Sequence, residues 1–157
     1  MQTEPGRGNF QQMANSLQIV ELETDGQIAA AYPLMSVLRP RIARDDFLPR
    51  VRAQQREGYR LLGGSVDGRW VVLAGYRFAS TLSRGPHLFV DDLVTAPDLQ
   101  GRGHATALLR HLAAMARVRG LEKLWLDSRD TARTFYEQVG FTTHTSIPCC
   151  IDAARLT

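Results

Sequence analysis

The chain has 157 residues, 44% of them apolar and 22% charged, which excludes a disordered, collagenous or disulfide-rich protein. That length fits one domain, and such a chain buries about 68–70% of its unfolded surface, enough for a core without staples. A formal net charge of +3 is too weak and scattered for a nucleic-acid face. No run approaches the about 18 apolar residues of a membrane span, and the N-terminus lacks the apolar middle of a secretory signal, so the expected home is the cytoplasm.

Residues 1–16 have no periodicity and read as a loose tail, leaving 17–157 as the expected single domain. A first strand is expected over Leu17 to Glu23, punctuated by Asp25-Gly26. A helix pair then spans Ile28 to Gly58, bent at Pro33 in its first member and capped by Asp45 in its second. From Tyr59 the period changes to that of strands. Tyr59 to Val66 and Trp70 to Phe78 flank Asp67-Gly68, a tight-turn pair that predicts a hairpin.

After a turn at Arg84-Gly85-Pro86, His87 to Thr95 reads as an apolar strand interrupted by two carboxylates, Asp91 and Asp92. A loop leads to a helix whose Ala105, Leu108, Leu109, Leu112 and Ala116 form one apolar stripe, closed by Gly120. Lys123 to Asp127 alternates as a strand. Asp130 is placed to cap a last helix carrying Phe135, Tyr136 and Val139 and ending at Gly140, and Phe141 to Ile151 is expected as one or two short strands. The fold class is α+β with a mixed sheet. Cys149 and Cys150 are adjacent, a spacing that suits neither a disulfide nor zinc, and read as small hydrophobes on that late strand. Trp70 and Trp125 read as sheet-face packing.

The segment Gln100-Gly101-Arg102-Gly103-His104-Ala105-Thr106 opens a helix directly after a strand. Helix N-termini carry unpaired N–H groups and about half a positive charge, which suits phosphate. Gly101 and Gly103 permit close approach of a ligand, and Arg102 adds a cation. The third glycine of a dinucleotide site and the Gly-Lys-Ser/Thr of a triphosphate loop are both missing. The expected guest is a phosphorylated cofactor, with a pyrophosphate held by the amides.

Gln100-x-x-Gly103-x-Ala105, after Asp92-Leu93-Val94-Thr95-x-Pro97 and before Ala132-x-x-Phe135-Tyr136-Glu137-x-x-Gly140-Phe141, resembles the GCN5-related N-acetyltransferase superfamily. The resemblance spans about Leu17 to Ile151. It implies an α+β fold with a mostly antiparallel central sheet, helices on both faces and two splayed central strands. It further implies acetyl-CoA as co-substrate, with the backbone of Leu93, Val94 and Thr95 pairing the pantetheine arm. Gln100, Gly101, Arg102, Gly103, His104, Ala105 and Thr106 would hold the pyrophosphate. Tyr136 matches the acid that protonates the departing thiolate, and Asp91 matches the base of the spermidine/spermine acetyltransferases. This sequence has Arg129 where the family often has Asn, so the polar contact there falls to Ser128 or Arg129.

The chemistry is consistent with that resemblance. An alkyl amine, with a pKa of about 10.4, is mostly protonated at neutral pH and must lose a proton before it attacks a thioester. Adjacent strand residues point to opposite faces, so at most one of Asp91 and Asp92 is expected to point into the slot between the splayed strands. A strand N–H near Val94 would stabilise developing negative charge. The expected activity is acetyl transfer from acetyl-CoA to a small-molecule or peptide amine by direct attack in a ternary complex, without metal. The alternative is a non-catalytic acyl-CoA sensor or interaction module on the same fold. A homodimer is compatible with the family, and the acceptor is not readable from motifs.

Overall fold

The computed structural model describes residues 16–155; apart from Ser16, the expected tail lies outside them. The chain gathers into two compact units, one ending at Asp127 and one beginning at Ser128.

The first unit opens with β1 (Gln18–Glu21) and α1 (Asp25–Leu38). Asp25 and Gly26 do not punctuate: they are the first residues of α1. The helix starts there because Thr24 and Gln27 form a reciprocal cap: Thr24 Oγ1 accepts from the Gln27 N–H at 3.2 Å, and Gln27 Oε1 accepts from the Thr24 N–H at 3.0 Å. Such a cap stabilises a helix by about 1 kcal/mol. The helix continues past Pro33 to Leu38. In α2 (Arg44–Arg56) the N-cap is Ala43 rather than Asp45; Asp45 and Asp46 lie in the first turn, where the helix dipole favours carboxylates.

β2 (Arg60–Val66) and β3 (Arg69–Thr81) form the expected hairpin, with positive φ at both Asp67 and Gly68. β4 (Gly85–Thr95) pairs antiparallel with β3, and β5 (Leu124–Leu126) pairs parallel with β4. The sheet order is β1-β2-β3-β4-β5. Between β4 and β5 lie a 3-10 turn (Pro97–Leu99) and α3 (His104–Val118). α3 ends as expected at Gly120, with φ +71; the Leu121 N–H donates to the Ala116 carbonyl and the Gly120 N–H to that of Arg117.

α1 and α2 bury Ile28, Met35, Phe47 and Val51 with Leu61 and Leu73 of the sheet in one cluster. The buried stripe of α3, Leu108, Leu109, Leu112 and Ala116, lies outside that cluster while α3 meets the same strands, β3 and β4. Helices therefore cover both sheet faces, an α+β architecture with a mostly antiparallel sheet. Trp70 packs against the α1/α2 cluster as a sheet-face residue.

The second unit holds a 3-10 turn (Asp130–Ala132) and α4 (Arg133–Val139), whose N-cap is Ala132 rather than Asp130. Gly140 follows with φ +111. Among the described residues no strand follows Leu126, so the strands expected over Phe141 to Ile151 are not formed. Thr142 to Ser146 offer no alternating apolar face, and Pro148 has no N–H for a ladder. Cys149 and Cys150 are accordingly exposed in irregular chain. No helix among the described residues is long and apolar enough to cross a membrane.

Candidate active site

The site begins with an irregularity in β4. Gly75 pairs with Asp92 and Tyr76 with Val90, so Asp91 is an extra residue without a partner on β3. Such a bulge bends a strand and increases its twist. The parallel pairing to β5 ends at the same place, at Val90 with Leu126, and β4 continues to Thr95 beside β3 but past the end of β5.

The backbone of that overhang is oriented by its other neighbour. The Ala96 N–H donates to the Val71 carbonyl at 2.8 Å. Antiparallel alternation then directs Val94 and Asp92 toward β3, and turns the N–H and C=O groups of Leu93 and Thr95 away from it. The N–H groups facing away from β3 are therefore those of Leu93 and Thr95, not that of Val94.

β4 leads through the Pro97–Leu99 turn into the glycine segment. Both Asp98 oxygens accept from Arg69 at 2.8 Å, a two-pronged pair that ties this turn to β3 and holds the Asp98 carboxyl below its usual range. Gly101 and Gly103 have φ of +77 and +83, and a Cβ at either would meet no protein atom within 4 Å. Here glycine is required by backbone conformation. Gly103 is the N-cap of α3 and no side chain caps the helix. The first-turn N–H groups of His104, Ala105 and Thr106, beside Arg102 and after Gln100, thus suit a phosphate.

On the α1/α2 face of the sheet lies a pocket of about 310 Å³. Both Asp91 and Asp92 line it, although neighbours on a regular strand point to opposite faces; the bulge interrupts that alternation. Each carboxylate is held by an arginine. Arg39 Nε donates to Asp92 Oδ1 at 2.7 Å, and another Arg39 nitrogen donates to the Asp91 carbonyl at 3.1 Å. Arg77 Nε donates to Asp91 Oδ2 at 2.9 Å and its terminal nitrogen to Asp91 Oδ1. Asp92 Oδ2 accepts a third bond, from the Tyr59 hydroxyl at 2.9 Å. Burial, then the charge of Asp92, pushes the Tyr59 phenol well above its ordinary range.

Tyr59, Arg77 and Gly75 were not singled out by the sequence reading. Their one visible signal is Gly75, a glycine inside a strand pattern, which marks close approach by another group. A Cβ there would lie 2.1 Å from the Tyr59 hydroxyl oxygen. Tyr59 crosses the sheet to Asp92 only because position 75 has no side chain.

Tyr136 and Ser128 belong to the second unit. Tyr136 is on α4, its ring 5.0 Å from that of Phe135 and 5.6 Å from that of Phe141, and burial raises its phenol. The Ser128 hydroxyl donates to the Arg129 carbonyl at 2.8 Å. Trp125, in the first unit, carries the Arg84 guanidinium 4.2 Å from its ring centre.

A five-stranded open sheet covered on both faces, with a strand that outruns its parallel neighbour into a helix start suited to phosphate, fits an acyltransferase. The chain belongs to the acetyltransferase (GNAT) family, whose profile matches residues 13–141. It is 30% identical over 127 residues to the uncharacterized N-acetyltransferase YhdJ of Bacillus subtilis (strain 168), covering 78% of this chain and 89% of that one. It is 33% identical over 79 residues to the glucosamine 6-phosphate N-acetyltransferase of Trypanosoma brucei brucei, covering 49% of this chain and 54% of that one. A solved ribosomal-protein-alanine N-acetyltransferase from Brucella melitensis biovar Abortus 2308 aligns with a TM-score of 0.72 at 25% identity, over 87% of this chain and all of that one.

Proposed function

We propose that the protein transfers the acetyl group of acetyl-CoA to an amine, giving an amide and free coenzyme A, by direct attack in a ternary complex. One observation carries this reading. The overhang of β4 turns the Leu93 and Thr95 backbone outward and leads straight into the uncapped, glycine-turned start of α3, while a pocket with two carboxylates opens at the bulge.

Acetyl-CoA, when bound, supplies an acetyl group on a good leaving thiolate. In this reading the amides from Gly101 to Thr106 hold its diphosphate, with Gln100 and Arg102 beside them and Ser128 as a further polar contact. The outward groups of Leu93 and Thr95 pair with its arm, flanking Val94. Asp91 takes the proton of the acceptor ammonium, directly or through water, since each carboxylate oxygen keeps a lone pair beyond the one bonded to Arg77. Asp92, held by Arg39 and Tyr59, keeps the bulge and the pocket wall in place. An outward N–H, that of Leu93, donates to the carbonyl oxygen as negative charge develops there. The Tyr136 hydroxyl, kept protonated by burial, gives a proton to sulfur as the C–S bond breaks, and the second proton lost by the acceptor nitrogen restores the phenol through water.

The test is a thiol-release screen of purified protein with acetyl-CoA and varied amines, repeated with Asp91→Asn. Turnover that falls strongly in the variant supports the reading. Acetyl-CoA binding with no thiol released from any amine would favour a sensor.

A further inference from the structure

The acceptor pocket carries six charges. Four are spent on each other, in the pairs Arg39–Asp92 and Arg77–Asp91. The remaining two, Arg50 and Glu57, make no side-chain hydrogen bond or ion pair among the described residues, and both sit on the α2 side of the pocket. They are seven residues apart, about 10 Å along a helix, with Gln54 between them. Both are exposed to water at the pocket rim, so neither is committed within the protein and each is free to meet a ligand of opposite charge.

The two ends of the pocket differ in sign. Glu57 stands at the β4 end: Arg77 is held protonated first by its hydrogen bond to Asp91 and further by the charges of Asp91, Asp92 and Glu57. Three carboxylates there face two guanidiniums, Arg39 and Arg77, and this is the end where an amine would meet the thioester. Arg50 lies two helical turns back along α2 from Glu57. Met35, Ile42, Phe47 and Val51 give the pocket its apolar lining.

We infer that the acceptor is an amine carrying an anionic group, a carboxylate or a phosphate, several carbon atoms from its nitrogen. Arg50 receives the anion, Glu57 steers the ammonium toward Asp91, and the connecting carbons lie on the apolar wall. A diamine would place its second cation against Arg50 and is selected against. This inference rests on the acetyl-transfer reading for the identity of the reacting end.

The experiment compares four acceptors of matched chain length: a plain alkylamine, an ω-amino carboxylate, an ω-aminoalkyl phosphate and an α,ω-diamine. For each, kcat/KM is measured by thiol release and affinity by calorimetry on the coenzyme A complex. The anion-bearing amines should lead the alkylamine by about tenfold or more, and Arg50→Gln should collapse that ratio by about tenfold, mainly through KM. Arg50→Glu should move the preference toward the diamine. The exposed Arg56→Gln, outside the pocket, should leave the ratio in place. Whichever of carboxylate and phosphate leads identifies the anion. An anion preference that Arg50→Gln does not move, or a wild-type lead for the diamine, overturns the inference while acetyl transfer stands. If no amine is acetylated, the transferase reading fails alone, and Arg50-dependent calorimetric binding of the anion-bearing amines still decides this one.

Discussion

Gly75→Ala is the smallest change that tests how the pocket wall is built. The new methyl would lie 2.1 Å from the Tyr59 hydroxyl oxygen and 2.5 Å from two ring carbons. Restoring ordinary contact at 3.4 Å requires the hydroxyl to withdraw by about 1.3 Å, which breaks its 2.9 Å bond to Asp92. Tyr59 is only 7% exposed, so there is little room to yield. Overpacking costs about 1–3 kcal/mol, and a lost bond to a carboxylate about 1.5–3 kcal/mol. A net loss of about 3 kcal/mol follows, large against a total stability of about 5–15 kcal/mol. Urea unfolding should report it as a lower midpoint at unchanged slope. In a Tyr59→Phe background the hydroxyl and its bond are already gone, so Gly75→Ala should cost at least about 1 kcal/mol less. Costs that instead add within about 0.5 kcal/mol would mean Tyr59 does not lie over Gly75.

Other outcomes follow from the same geometry. Tyr59 ionises above its unfolded value of about 10; its contribution to stability is therefore complete below that pH and is lost as pH rises through the folded value. The urea midpoint should fall above about pH 10, and fall less in Tyr59→Phe. In an ultraviolet titration of the four tyrosines, Tyr76 should ionise only near pH 12, held back by burial and by Glu21; Tyr59 is also late, so Tyr76→Phe should reduce the late amplitude by one phenol, and an unchanged amplitude would contradict the assignment. Gly103→Val should abolish acetyl-CoA binding by calorimetry, because a branched side chain at φ +83 both strains the turn and stands over the helix start; unaltered affinity would remove the loop from the site. Tyr136→Phe should lower turnover several-fold with acetyl-CoA affinity nearly intact, and the reverse pattern would contradict the acid assignment.

The features legible in the sequence are those written within a few consecutive residues. Asp67-Gly68 dictates a tight hairpin because both residues must take positive φ, and Gly120 ends α3 for a similar reason. The leucine stripe of α3 follows from helical period, and the Gln100–Thr106 segment carries its glycine geometry in its own residues. Cap residues were misplaced at Asp45 and Asp130 because several polar residues stand close together there, and the sequence does not say which one leaves the helix first. The late strands failed where alternation was weak and a proline interrupted it.

The site's charged half was decided elsewhere. Whether Asp91 and Asp92 face apart or together depends on a bulge, and a bulge is a property of two strands in register, not of either alone. Tyr59 meets Asp92 across 33 positions of chain, and Arg39 meets the same carboxylate across 53. Such partners are chosen by where helices settle on the sheet. Local sequence thus determined the turn-and-helix geometry that suits a phosphate. Only tertiary structure turned two neighbouring aspartates into one wall of a pocket, because the energy that holds them there comes from groups the chain brings together after its elements have formed.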